Sequence, residues 1–263
     1  LREDALRAAQ ASADLLLITS DPQDQTRVYE ALINGVQTGQ LPMDELQSSV
    51  ARIARLKTWL AEHANHHDLS VIRSAEHMQV ADEIAERSIT LVRDNKQSLP
   101  LSLAAEKKIA VIIPTPEDLT PADTSSYVQP KLADFIREHH ARTDEFKISY
   151  APHEREIASV LEHIRGYDVI IAGTINAFAE EKQAEFVRQL MQTGKTVIIV
   201  AMRLPYDLAA FPQAPTFICA YGILEPSMRA AARALFGVGE MIGRLPVSIP
   251  GLYESGYSLL MEK

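Results

Sequence analysis

Val197-Ile198-Ile199-Val200-Ala201-Met202-Arg203-Leu204-Pro205-Tyr206-Asp207-Leu208-Ala209-Ala210-Phe211-Pro212 changes character halfway along. Val197 to Met202 is a short apolar run rich in β-branched residues, the signature of a strand buried on both faces. Polar groups follow at once, with Pro205 fixing a turn among them. In an open parallel sheet, ligands bind outside the carboxyl ends of the strands. This strand end therefore places a guanidinium (Arg203), a phenol (Tyr206) and a carboxylate (Asp207) where a sugar or another polar ligand could be met. Each also has a plain structural reading: Asp207 caps a helix starting at Leu208, and Tyr206 packs at its edge.

Working outward, further strands are expected at Lys108–Ile113, Phe146–Tyr150, Asp168–Thr174, Thr216–Ala220 and Arg244–Ile249. Helical patterns lie between most of them, at 128–140, 154–165, 179–192 and 226–236. A helix capped by Ser74 precedes them, with Met78, Ala81, Ile84, Ala85 and Ser88 on its stripe. Strand–helix alternation with Ile/Val runs predicts a three-layer α/β sandwich around a mostly parallel sheet of about six strands. Asn176, just past the strand ending at Thr174, is a further polar strand-end candidate; entry to the next helix explains it equally well. Gly237, Gly239 and Gly243 follow a helix instead of joining a strand to one, so they read as a helix stop and turn, not a phosphate loop.

Residues 1–64 read as a separate unit. Ala13–Ile18 is a short apolar strand, ended by the turn residues Ser20, Asp21 and Pro22. Helices are expected at 25–36, with Val28, Leu32 and Val36 on one face and Gly39 past its end, and at 44–60. A lone buried-type strand needs neighbours on both edges, and this segment supplies none. Residues 65–73 read as a linker. His63, His66, His67 and Asp68 around it match no closed zinc spacing, and a solvated segment is the better reading. His139, His140, His153 and His163 are scattered and expected at solvated positions. Residues 74–263 form the sandwich.

The formal net charge of −9, from 26 basic and 35 acidic residues, argues against a nucleic-acid partner. No apolar stretch approaches ~20 residues, so no transmembrane helix is expected. The single cysteine, Cys219, lies in an apolar run and reads as a buried core thiol. Compartment stays open, between cytoplasmic and secreted.

Four segments carry a resemblance when taken in order: Ala13 to Lys57, Ile84 to Leu101 (IAERSITLVRDNKQSLPL), Ala201 to Pro212 (AMRLPYDLAAFP) and Gly243 to Gly251 (GRLPVSIPG). Together they resemble the C-terminal half of glycoside hydrolase family 3, most of all its two-domain bacterial β-N-acetylglucosaminidases, which act on cell-wall muropeptides. Two places depart from the family pattern. Gly256-Tyr257-Ser258-Leu259 stands where many members have Gly-His-Gly-Leu, and Tyr221-Gly222 where Tyr-Ser is frequent.

The resemblance implies that residues 1–64 are the last strand and closing helices of a (β/α)8-type barrel. It implies retaining hydrolysis by a carboxylate nucleophile and a proton donor ~5 Å apart, with no cofactor and no metal. The aspartate nucleophile and an Asp-His proton donor would lie upstream of Leu1, so no catalytic residue is assigned and the chain is expected to be inactive alone. Its partners would be the missing barrel, on the same polypeptide or a second chain, and an amino-sugar glycan. Arg203, Tyr206, Asp207, Asn176, Ser20 and Asp21 become candidates for substrate binding or domain docking. A stand-alone glycan-binding module and half of a split β-glucosidase-type enzyme are the alternatives.

Overall fold

The computed structural model describes residues 1–18, 21–64 and 67–261. The chain divides into two compact units, Leu1–Val71 and Ile72–Lys263.

In the larger unit, helix α4 (Ala75–Ser88) starts at Ser74, whose hydroxyl accepts from the His77 amide at 3.3 Å. Met78, Ala81, Ala85 and Ser88 turn inward. Ile84, one residue and about 100° away from Ala85, is exposed. Six strands follow: β1 (Thr90–Asp94), β2 (Ile109–Pro114), β3 (Thr143–Ile148), β4 (Val169–Thr174), β5 (Thr196–Ala201) and β6 (Thr216–Cys219). Their order is β1-β6-β5-β4-β2-β3. All neighbours are parallel except β1, which runs antiparallel to β6. Helices α5 (Leu132–Arg137), α6 (Glu154–His163), α7 (Glu181–Gln192) and α8 (Glu225–Leu235) cover the two faces.

The period-two alternation of each strand sorts its side chains between two cores. Val111, Ile113, Ile171, Ile198, Val200 and Ile218 meet Ala85 of α4 and the buried faces of α5 and α8. Ala110, Ile112, Ile170, Ile199 and Phe217 meet Ile157 of α6 and Phe186 and Leu190 of α7. The architecture is the expected α/β sandwich with a six-stranded, mostly parallel sheet. Each fully buried Ile or Val stabilises it by about 1.5–3 kcal/mol, which is why the central strands β2, β4 and β5 read as apolar runs.

Two strand expectations are corrected. Arg244–Ile249 is not a sheet strand: Ile249 forms an isolated bridge with Tyr253, and Ile242, just before the segment, forms another with Thr90. Pro246 and Pro250 cannot donate to a ladder, and the edge of β6 is already taken by β1. Leu245 and Ile249 still pack into the α6–α7 core. The sixth strand is instead Thr90–Asp94, a five-residue edge strand with an irregular register between Leu91 and Arg93.

Chain order fixes where the sheet reverses. From β2 the chain crosses to β3 on one side, and from β4 it proceeds to β5 and β6 on the other. The switch point lies between β2 and β4, and ligands of such sheets collect at its carboxyl side.

The smaller unit holds α1 (Arg2–Gln10), α2 (Pro22–Gln37) and α3 (Met43–His63); α1 has no counterpart in the sequence reading. The strand expected at Ala13–Ile18 does not form. It has no ladder partner among the described residues, and Leu15 is 67% and Leu17 fully exposed. A buried-type strand without neighbours cannot satisfy its backbone in a sheet. Asp14 is instead gripped by Arg52 through two 2.7 Å bonds. Beside it lies an apolar cavity of about 500 Å³, lined among others by Leu16, Leu32, Ile33, Val36 and Leu46. Gly39 ends α2 with φ 73°, the left-handed stop its position predicts. His63 bonds the Trp59 carbonyl at 2.8 Å and Asp68 accepts from the Ser70 amide at 2.8 Å; His66 lies outside the described residues.

Candidate functional site at the carboxyl edge of the sheet

β5 does not release the chain abruptly. The Met202 amide donates to the Thr174 carbonyl at 2.9 Å, so the ends of β4 and β5 stay tied past the ladder. Pro205 then opens a short 3-10 turn, Pro205–Ala210. Asp207 lies inside that turn and is fully buried. It does not cap a helix at Leu208. Its carboxylate crosses to the end of β4, where Oδ2 accepts from the Thr174 hydroxyl at 2.6 Å and Oδ1 from the Phe178 amide at 3.2 Å. The Ala177 amide also favours its charged form. Burial pushes this carboxyl up to about 6; the Thr174 hydroxyl and the two amides oppose that rise.

The chain turns sharply where Asp207 holds it. Asn176 has φ 57°, a left-handed conformation that Asn tolerates better than most residues. Its carbonyl accepts from the amides of Ala179 and Glu180 at 2.9 and 3.1 Å. Asn176 is therefore not the entry residue of α7, which begins at Glu181 with the Glu180 carboxylate accepting from the Lys182 amide. Its side chain is buried, lies near the Tyr150 hydroxyl, and leaves Oδ1 without a partner among the described residues. Gln183 locks the preceding residue, accepting from the Ile175 amide and donating to the Ile175 and Tyr150 carbonyls.

Arg203 donates from Nη2 to Asp123 at 3.2 Å, while Nη1 is buried with no partner among the described residues. Asp123 belongs to the segment after β2, across the switch point. The Ser125 hydroxyl above all, then the Leu119 amide, the Ser125 amide and Arg203, hold its carboxyl well below the usual range. Tyr206 is half-buried and meets the Phe178 ring edge-on, with centroids 5.7 Å apart. Phe178 is itself 48% exposed.

The fold thus brings Arg203, Tyr206, Asp207 and Asn176 to one sheet edge. Thr174, Tyr150, Asp123 and Phe178 complete the group, and the sequence reading did not single them out. Thr174 carried a usable signal, a hydroxyl closing a buried strand. Asp123 carried none, since only tertiary structure joins it to Arg203. Asp21, in the smaller unit, caps α2, accepting from the Gln23 amide at 2.8 Å. Ser20 lies outside the described residues. His140, expected in solvent, is buried and donates from Nε2 to the Lys107 carbonyl at 2.7 Å. Cys219 is buried in β6. Both carboxylates of the edge are committed to internal donors. The arrangement orients and holds.

A family model of the glycosyl hydrolase family 3 C-terminal domain matches residues 89–258. The chain is 25% identical over 249 residues to beta-hexosaminidase A of Pseudoalteromonas piscicida, covering 83% of this chain and 40% of that protein. It superposes with a TM-score of 0.78 at 26% identity on a glycoside hydrolase family 3 β-N-acetylglucosaminidase from Paenibacillus sp. str. FPU-7, covering 92% of this chain and 46% of that one. A fungal multi-domain GH3 β-N-acetylglucosaminidase follows at TM-score 0.74 and 27% identity, covering 97% of this chain and 29% of that one. The chain spans less than half the length of each relative. No helix among the described residues is long and apolar enough to cross a membrane. The chain belongs to glycosyl hydrolase family 3, and residues 89–258 are its C-terminal domain.

Proposed function

We propose that this chain is the C-terminal portion of a β-N-acetylglucosaminidase, working with an N-terminal barrel that carries the nucleophile and the proton donor. One observation carries this reading: more than nine-tenths of the chain superposes on two β-N-acetylglucosaminidases. In it, residues 1–64 complete the barrel, residues 65–73 link, and residues 74–263 present the carboxyl edge of the sheet toward an amino-sugar glycan. Arg203, Asn176 and Tyr206 form a polar and aromatic wall there. A guanidinium with an uncommitted nitrogen suits the carboxylates of muropeptides.

The test compares the purified 263-residue chain with the intact protein on aryl β-N-acetylglucosaminide and, in parallel, aryl β-glucoside. The intact protein is expected to cleave the amino sugar preferentially while the chain cleaves neither. Turnover by the isolated chain, or preference for the glucoside, overturns the reading.

A further inference from the structure

We propose that Asp207 is a positioning residue, whose buried carboxylate clamps the turn Asn176–Phe178 and so sets Asn176 and the Phe178 ring at the carboxyl edge. Two donors from one short stretch converge on it, the Thr174 hydroxyl and the Phe178 amide, and the neighbouring Ala177 amide also favours its charged form. They bracket the one residue of that stretch held at positive φ, Asn176. A left-handed non-glycine persists only where its surroundings over-determine it. Here the surroundings are the clamp on one side and the two bonds from Gln183 to Ile175 on the other.

No cation among the described residues bonds Asp207 directly. The charged or titratable groups coupled to it are Tyr150 from the segment after β3 and Cys219 from β6. Arg203 and Glu180 act on Tyr150 in turn. Burial pushes both Tyr150 and Cys219 up, so both stay neutral near neutral pH. When ionised, the carboxylate is thus balanced by hydrogen bonds alone, an expensive arrangement. The consequence lies at the exposed end of the turn. Phe178 meets Tyr206, which follows Pro205 in the 3-10 turn that carries Asp207, so one carboxylate fixes both rings of the pair.

The experiment uses hydrogen exchange on the 263-residue chain with Asp207→Ala and Asp207→Asn. Asn keeps an acceptor toward Ala177 and Phe178, and the Thr174 hydroxyl can rotate to accept from its amide group. Exchange at 177–180 is expected to rise roughly ten- to hundred-fold in Asp207→Ala, on the scale of one or two lost charge-assisted bonds. It is expected to return near wild type in Asp207→Asn, with Ile198–Val200 unchanged throughout. An unaltered turn in Asp207→Ala, or an Asn variant as loose as the Ala variant, overturns the clamp. If Asp207→Ala fails to fold, Thr174→Val removes a single bond and must still loosen 177–180.

The effect on catalysis rests on the reading that this edge meets the sugar. In the intact enzyme Asp207→Ala is expected to raise KM roughly tenfold, with kcat within about twofold and rescue by Asn. A loosened turn with unchanged KM leaves the clamp standing and removes the edge from the substrate site.

Discussion

The Thr174 hydroxyl donates a 2.6 Å bond to the Asp207 carboxylate, and both side chains are buried. Burial raises this carboxyl from 3.8 to about 6. An acid with a raised folded-state pKa binds its proton more tightly when folded. Its neutral form therefore favours folding fully below 3.8, and that contribution is lost as pH rises through about 6. Two units at ~1.36 kcal/mol each make the effect about 3 kcal/mol. Relative to Asp207→Asn, the wild-type chain is expected to lose about that much stability between pH 4 and pH 7. Urea denaturation of both proteins across this range measures it. Parallel pH curves would show that Asp207 titrates alike in the folded and unfolded chain.

Arg203 offers a contrasting case. Removing it leaves Asp123 its bonds from the Ser125 hydroxyl and amide and the Leu119 amide, so the loop keeps its main anchors. Arg203→Ala is expected to shift the melting temperature by no more than about 3 °C, while kcat/KM of the intact enzyme falls roughly tenfold, the scale of one charged hydrogen bond. An unchanged kcat/KM would take Arg203 out of the site.

The central strands were legible because burial on both faces leaves one simple trace, a short run of Ile and Val. The same logic misled at Arg244–Ile249, where apolar residues alternate but Pro246 and Pro250 remove donors. It was silent at Thr90–Asp94, whose strand character depends on a free edge of β6. At the site, strand-end position found Arg203, Tyr206, Asp207 and Asn176. The role of Asp207 was hidden, because capping a local helix and bonding a turn 29 residues away ask for the same residue type. Pairs such as Arg203–Asp123, 80 residues apart, leave no local pattern at all.

Gly243 tests the tie between the last motif and the sheet edge. Its amide donates to the Ile89 carbonyl at 3.0 Å, and a Cβ there would lie 2.0 Å from the Ser88 carbonyl oxygen. Backbone cannot yield as a flexible side chain does. Gly243→Ala is expected to cost more than about 3 kcal/mol, whereas Gly166→Ala, whose Cβ would meet nothing within 4 Å, stays within about 0.5 kcal/mol. Thermal unfolding of the two variants checks this, and equal melting temperatures would show that the Ser88–Gly243 contact relaxes freely.

Residues 13–18 decide the proposed barrel. Leu15 and Leu17 are exposed on a segment without ladder partners, although its sequence is that of a strand buried on both sides. If an N-terminal barrel supplies the neighbours, the amides of Leu15–Ile18 exchange freely in this chain and slow by roughly a thousandfold or more in the intact protein. Leu17→Asp separates the two states further. The fully exposed side chain makes the substitution neutral to within about 0.5 kcal/mol in the isolated chain. In the intact protein it buries an unpaired charge inside the barrel wall and is expected to destabilise by several kcal/mol, enough to abolish glycosidase activity. Equal exchange in both proteins, together with a tolerated Leu17→Asp in the intact enzyme, would exclude this segment from any barrel.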